Sequence, residues 1–155
     1  MINPASILLI ILAALLIVAA VGDIRSRIIP NWLNAAIALL AIPFWFAAGL
    51  GAHDMLIQIG LAGGVLAIFA GCFIIGMMGG GDVKMISALA LWMPLGKIFL
   101  LLVWMALAGG VITIGMLIYY YLRKNTGKIE IPYGVAISAS ALLLVTNDIL
   151  TNTGA

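Results

Sequence analysis

From Gly76 to Met85 the chain reads GMMGGGDVKM. Gly79, Gly80 and Gly81 run directly into Asp82, in a sequence otherwise made mostly of Leu, Ile, Ala and Val. Three successive glycines break a helix and let another backbone approach closely. Irregular backbone at membrane depth is tolerated only where it is buried in protein or lines a cavity. A simple turn between two membrane segments accounts for one glycine, but less readily for three and an acid.

The rest of the composition makes this a membrane question. Of 155 residues, 66% are hydrophobic and 8% charged, and the mean hydropathy is +1.32. No soluble core hides that much apolar surface, and the apolar runs reach the roughly 20 residues that cross a bilayer as a helix. The first run, Ala5 to Gly22, has no Lys or Arg before it and is too long for a signal core, so it reads as a span. The second begins at Pro30 and Asn31, where proline has no N–H to lose in a first turn, and ends near Gly49. A third runs from about Leu56 to Met78, a fifth from Ile98 to Leu122 and a sixth from Tyr133 to Ile149. The fourth is short: from Asp82 the apolar stretch soon meets Pro94, Gly96 and Lys97, about 22 Å along a helix against a hydrocarbon core of roughly 30 Å. The expected fold is an all-α membrane protein of six transmembrane helices in one domain over 1–155, the fourth span short and preceded by a glycine-rich break.

Charge sets the orientation. Arg25, Arg27, Lys84, Arg123, Lys124 and Lys128 fall in the connections on one side and Lys97 alone on the other, which puts the first group in the cytoplasm and both termini outside. The formal net charge of +2 reflects this topology and not nucleic-acid binding. Asp23, ending the first span, and Asp82, starting the fourth, then lie on the same side at similar depth. Singly, Asp23 reads as an interfacial charge beside Arg25, and Asp82 as a helix N-cap. Together they need a reason, because each carboxylate near the bilayer interior is costly.

Peptide hydrolysis needs an activated water and a proton for the carbonyl oxygen and the leaving amine, and no other pair of side chains offers both. Two carboxyl groups brought close share one proton and titrate as a pair. Helix dipoles then favour the anion at Asp82, which begins a helix, over Asp23, which ends one. The single histidine, His53, lies on the outer side. A serine mechanism at Ser26, Ser87 or Ser138 has only Lys84 as a base. Gly79 to Gly81 suit a peptide lying across the loop. Lys84, two residues from Asp82, does not face it along a helix and reaches lipid phosphates or substrate instead. Asn31 and Asn34, one turn apart, either donate hydrogen bonds towards the site or cap their helix. Gly60 to Gly64 has GxxxG spacing, and Gly109 and Gly110 offer similar close helix packing.

The quartet Gly79-Gly80-Gly81-Asp82 fits the GxGD signature of intramembrane aspartyl proteases. Its continuation into Val83-Lys84, the D-I-R-S-R-I-I-P-N block from Asp23, and Pro132-Tyr133-Gly134-Val135-Ala136-Ile137 resemble the type IV prepilin peptidases over nearly the whole chain. The resemblance implies removal of leader peptides from prepilin-like precursors at the cytoplasmic face of the bacterial inner membrane, with Asp23 and Asp82 as the catalytic pair and neither metal nor cofactor. The long enzymes of the family add a cytoplasmic four-cysteine zinc domain and methylate the new N-terminus. Here Cys72 is the single cysteine, so the resemblance is to the short, peptidase-only form of tight-adherence (Flp-type) pilus systems. A small proton- or ion-coupled transporter also places paired acids at a broken helix, and a noncatalytic scaffold for pilus assembly is a third reading. The sequence does not specify the oligomeric state.

Overall fold

The computed structural model describes residues 3–123 and 131–153. They form six α-helices: α1 (Pro4–Ser26), α2 (Asn31–Ala47), α3 (Ala52–Ile74), α4 (Gly80–Ala90), α5 (Leu95–Leu122) and α6 (Tyr133–Thr153). There is no strand among the described residues. Lys124 and Lys128, counted above for orientation, lie outside them.

Local chemistry explains where the helices start and stop. Asn3 caps α1, its Oδ1 accepting the Ala5 N–H at 3.1 Å, and Pro4 occupies the first turn, where a missing donor costs nothing. At its other end α1 stops on Arg27, whose φ of 56° is left-handed and whose N–H donates to the Asp23 carbonyl at 3.0 Å. Pro30 is the residue before α2 and not its first turn, one position short of the expectation.

Four helices, α1, α3, α5 and α6, are long and apolar enough to cross a membrane. The apolar helix α2 has 17 residues and α4 only 11. The shortest helix is also the most enclosed: Met85, Ile86 and Leu89 of α4 are each 0% exposed. It sits among α2, α3 and α6, while α1 packs on α2 and α6. The outer helices lean inward from one side each, α3 on α4 and α5 on α6. Helix α4 can be short because protein, not lipid, surrounds it.

The end of α4 differs from expectation. The fourth segment does not run on to Lys97: the helix ends at Ala90, and Lys97 lies in the first turn of α5, in an ion pair with Asp148 of α6. Proline at position 94 forces this, since it cannot continue a helix from the preceding turn. Two tryptophans tie down the break. Trp45 of α2 donates its indole N–H to the Leu91 carbonyl at 2.7 Å, and Trp92 donates to the Ile37 carbonyl of α2 at 2.9 Å.

The glycines also differ from expectation. In α3 a methyl group added at Gly60, Gly63, Gly64 or Gly71 meets nothing within 4 Å, so among the described residues the GxxxG spacing serves no close helix crossing. In α5, Gly109 does lie against α6, a Cβ there being 3.5 Å from the Tyr133 ring and 3.9 Å from the Ala136 methyl, whereas Gly110 faces open space. Beyond that crossing α5 continues from Gly110 to Leu122, about 20 Å at the helical rise.

Replacing Trp45 by Phe keeps an aromatic ring but leaves the Leu91 carbonyl without its indole donor. The expected cost is about 1–3 kcal/mol, read as a lower unfolding temperature of the purified protein in detergent.

Candidate active site

Asp23 occupies the last turns of α1 and is 5% exposed. Its Oδ2 accepts the backbone N–H of Val135 at 3.1 Å, so the carboxylate sits on the first turn of α6. The contact is possible because residue 134 is glycine: a Cβ there would lie 2.9 Å from both Cγ and Oδ2 of Asp23 and 2.8 Å from Cδ1 of Ile29. Real Cβ atoms do not come so close to their neighbours.

Asp82 is the third residue of α4. Its carboxylate folds back over Gly79, the residue that caps the helix, where a Cβ would stand 3.1 Å from Oδ2. Both acids therefore lie at helix N-termini, Asp82 at its own and Asp23 at that of α6. The dipole contrast expected between them is removed, because the α6 terminus offers Asp23 the same partial positive charge.

Ile29, in the connection between α1 and α2, joins the two halves of the site. It is 6% exposed, and a Cβ at Gly81 would lie 3.3 Å from both its Cβ and its carbonyl oxygen. Its other contact is the close approach to Gly134 already described. One side chain thus fills the space that two glycines leave, and it draws the starts of α4 and α6 to the end of α1.

The two carboxylates line one cavity of about 650 Å³, together with Arg27, Ile29, the segment Gly76 to Gly81, and Tyr133. The three glycines play a different part from the helix break expected of them. Gly80 and Gly81 are helical, and the left-handed turn falls at Gly76, with φ 74°. Close approach is what Gly80 and Gly81 supply: a Cβ at Gly80 would be 3.3 Å from the Phe73 ring.

Asn31, Asn34 and Lys84 do not line this cavity. Asn34 nevertheless acts on it, donating Nδ2–H to the Gly81 carbonyl at 3.1 Å. Asn31 accepts from Lys84 Nζ at 2.8 Å on the exposed side of the helices. Neither asparagine caps α2, so of the two readings the capping one is overturned for both. Lys84 finds its partner in a neighbouring side chain. His53 is exposed at the start of α3, away from the cavity. No group of three or more His, Cys, Asp or Glu side chains comes together among the described residues.

The sequence pattern of the type IV leader peptidase family matches residues 10–114. The chain belongs to that family. Both Asp23 and Asp82 fall inside the matched region, and so does the glycine loop. Ile29 is within it as well, whereas Gly134 and Val135 lie beyond its end. No curated protein and no solved structure matches the chain.

Ile29 and Gly134 are among the site residues that sequence reasoning left without a role. Each lies inside a stretch that carries the resemblance to the leader peptidases, IIPN and PYGVAI, and that was the available signal. A leader peptidase whose acid is seated this closely should not tolerate a methyl group at position 134. In Gly134→Ala we expect peptidase turnover to fall about a hundredfold, because the added methyl displaces the Asp23 carboxylate that lines the cavity by about 1 Å. Gly60→Ala, which adds its methyl to open space, should stay within about twofold of the parent. Steady-state cleavage rates of the two purified variants check this.

Proposed function

We propose that the chain is an aspartic endopeptidase that removes the leader from type IV, Flp-like prepilins at the cytoplasmic face of the bacterial inner membrane. The observation that carries the reading is the shared cavity of Asp23 and Asp82, reached from α1 and α4 across a large separation in sequence. Family membership supports peptide hydrolysis over a proton- or ion-coupled transporter built on the same acids.

In this reading one carboxyl of the pair is ionised and the other protonated, since two adjacent carboxylates do not both ionise cheaply. The ionised member takes a proton from water, whose oxygen attacks the scissile carbonyl carbon. The protonated member gives its proton to the carbonyl oxygen, and a neutral tetrahedral intermediate forms. The proton taken from water then passes to the leaving nitrogen as the C–N bond breaks, one hydroxyl of the intermediate returns its proton to the carboxylate that had protonated the carbonyl oxygen, and a carboxyl group and an amine leave with the pair back in its starting state. The Val135 N–H holds Asp23 in place through these steps. Gly79 to Gly81 present a backbone edge without side chains along which an extended substrate lies, and Asn34 steadies that edge through the Gly81 carbonyl.

The chain crosses the membrane as one unit, with the Arg25, Arg27 and Lys84 end in the cytoplasm and both termini outside, as the positive-inside rule requires. In this reading α2 and α4 complete a six-span layout with the four long helices. The short α4 leaves Asp82 below the headgroups, with the Gly76 to Gly81 cavity as the water-accessible opening.

Coexpression with a prepilin precursor tests the reading. The parent should convert the precursor to a form shorter by its leader. Asp23→Asn and Asp82→Asn should each lower conversion by about 10²–10⁴-fold while reaching the membrane in parental amounts. Conversion at the parental rate by either variant overturns the two-acid mechanism.

A further inference from the structure

The end of the bundle away from Asp23 and Asp82 carries a pocket that peptide hydrolysis does not use. It has a volume of about 520 Å³ and opens where α2 ends, α3 and α5 begin and α6 ends. Leu9, Ile57, Leu61 and Leu95 give it apolar walls. Lys97 and Asp148 line it as an ion pair. Asp54, in the first turn of α3, lines it as well and has no ion-pair partner among the described residues. With two acids and one lysine on its walls, the pocket holds a carboxylate in excess.

Two further features point to the same kind of ligand. Gln58 lies one turn after Asp54 on the same face of α3. It is only 8% exposed, and its Oε1 is buried without a hydrogen-bond partner among the described residues. A buried acceptor left unpaired is costly, so this amide has a use for an N–H donor. Gln58 lines the pocket, and a half-turn of its nearly symmetric amide presents the oxygen there. Phe44 and Trp92 also line it, with ring centroids 4.8 Å apart. The Trp92 N–H is donated to the Ile37 carbonyl, which leaves the aromatic ring for the pocket, and aromatic faces attract cations. A carboxylate in excess, an unpaired acceptor and a pair of rings all favour an ammonium group that still carries hydrogens.

We propose that this pocket binds the headgroup of a phospholipid bearing a primary ammonium, of the ethanolamine class. The ammonium lies between Asp54 and Gln58 against the aromatic pair, and Lys97 meets the phosphate. A free amine would answer the acid, the amide and the rings, but it leaves Lys97 and the apolar walls without a part. The lipid engages all of them. The charges of the pocket stand at the ends of the long apolar helices α3, α5 and α6, which is the level of headgroups in a bilayer, and from there the acyl chains pass into hydrocarbon. Bound in this way, the lipid bridges the start of α3 to the start of α5 and the end of α6, opposite the acids. The site stands independently of the peptidase reading.

The test uses the purified full chain in detergent, titrated with phospholipids that share their acyl chains and carry ethanolamine, choline or glycerol headgroups. The rise of the unfolding temperature with lipid concentration gives an apparent affinity for each. The ethanolamine lipid should bind about tenfold more tightly than the choline lipid, which keeps the cation but has no N–H to donate, and the glycerol lipid should bind most weakly. Asp54→Asn and Gln58→Leu should each lower the affinity for the ethanolamine lipid about tenfold. His53→Gln, next to Asp54 but outside the pocket, should stay within about twofold of the parent. Should Gln58→Leu fail to fold, Asp54→Asn, an exposed position, decides alone. Equal affinity for the three headgroups, or parental affinity in Asp54→Asn, overturns the site. Phosphoethanolamine without acyl chains, if it binds as tightly as the lipid, overturns the lipid as its occupant.

Discussion

The structure turns on how closely two chain segments approach one isoleucine. Ile29 stands where α1 hands over to α2, and the starts of α4 and α6 press against it through Gly81 and Gly134. With a Cβ at 134 the contact is sterically closed, and with one at 81 it is tight. Two missing methyl groups thus let two helix N-termini meet the end of a third helix. The acids come together as a consequence, since Asp23 lies one turn before the α1 terminus and Asp82 one residue after Gly81.

The burial of α4 supports the same arrangement from the other side. A helix of 11 residues is too short to face lipid along a full bilayer, and the chain places it inside, with Met85, Ile86 and Leu89 fully enclosed. Indole donors from Trp45 and Trp92 hold the far end, and the Asn34 amide holds the near one. A helix leaves its last carbonyls without partners in the helix, which is costly in a buried place, and the Trp45 indole supplies one at Leu91. Asp82 is then carried on a fixed element while the neighbouring Gly76 to Gly79 connection shapes the opening.

Around this centre the two halves of the bundle differ in character. Helices α1, α2, α4 and α6 form the packed interior, and α3 and α5 lean on it from outside, with much apolar surface left for lipid. The packed interior carries both acids, Asp23 on α1 and Asp82 on α4.

Much of this was legible in the sequence. Hydropathy alone determined an all-helical membrane protein, because apolar side chains in such number have no other solvent. The other segment limits followed to within a few residues, but the fourth segment ends at Ala90, well before the expected Lys97. Asp23 and Asp82 stood out because a charged group in an apolar run is expensive. Distances between segments were another matter. The sequence did not show that Lys97 belongs to α5 and meets Asp148, that Asn34 reaches the Gly81 carbonyl, or that Gly60 and Gly64 of α3 make no close helix contact among the described residues. It also offered Asp23 only the end of its own helix, when the α6 N-terminus is what the carboxylate meets. Spacing along a chain predicts which residues share a face of one helix, but it carries no information on which faces of different helices touch. That depends on steric fit among all six, and only the tertiary structure decided that Gly134 and Ile29 would be where the fit is closest.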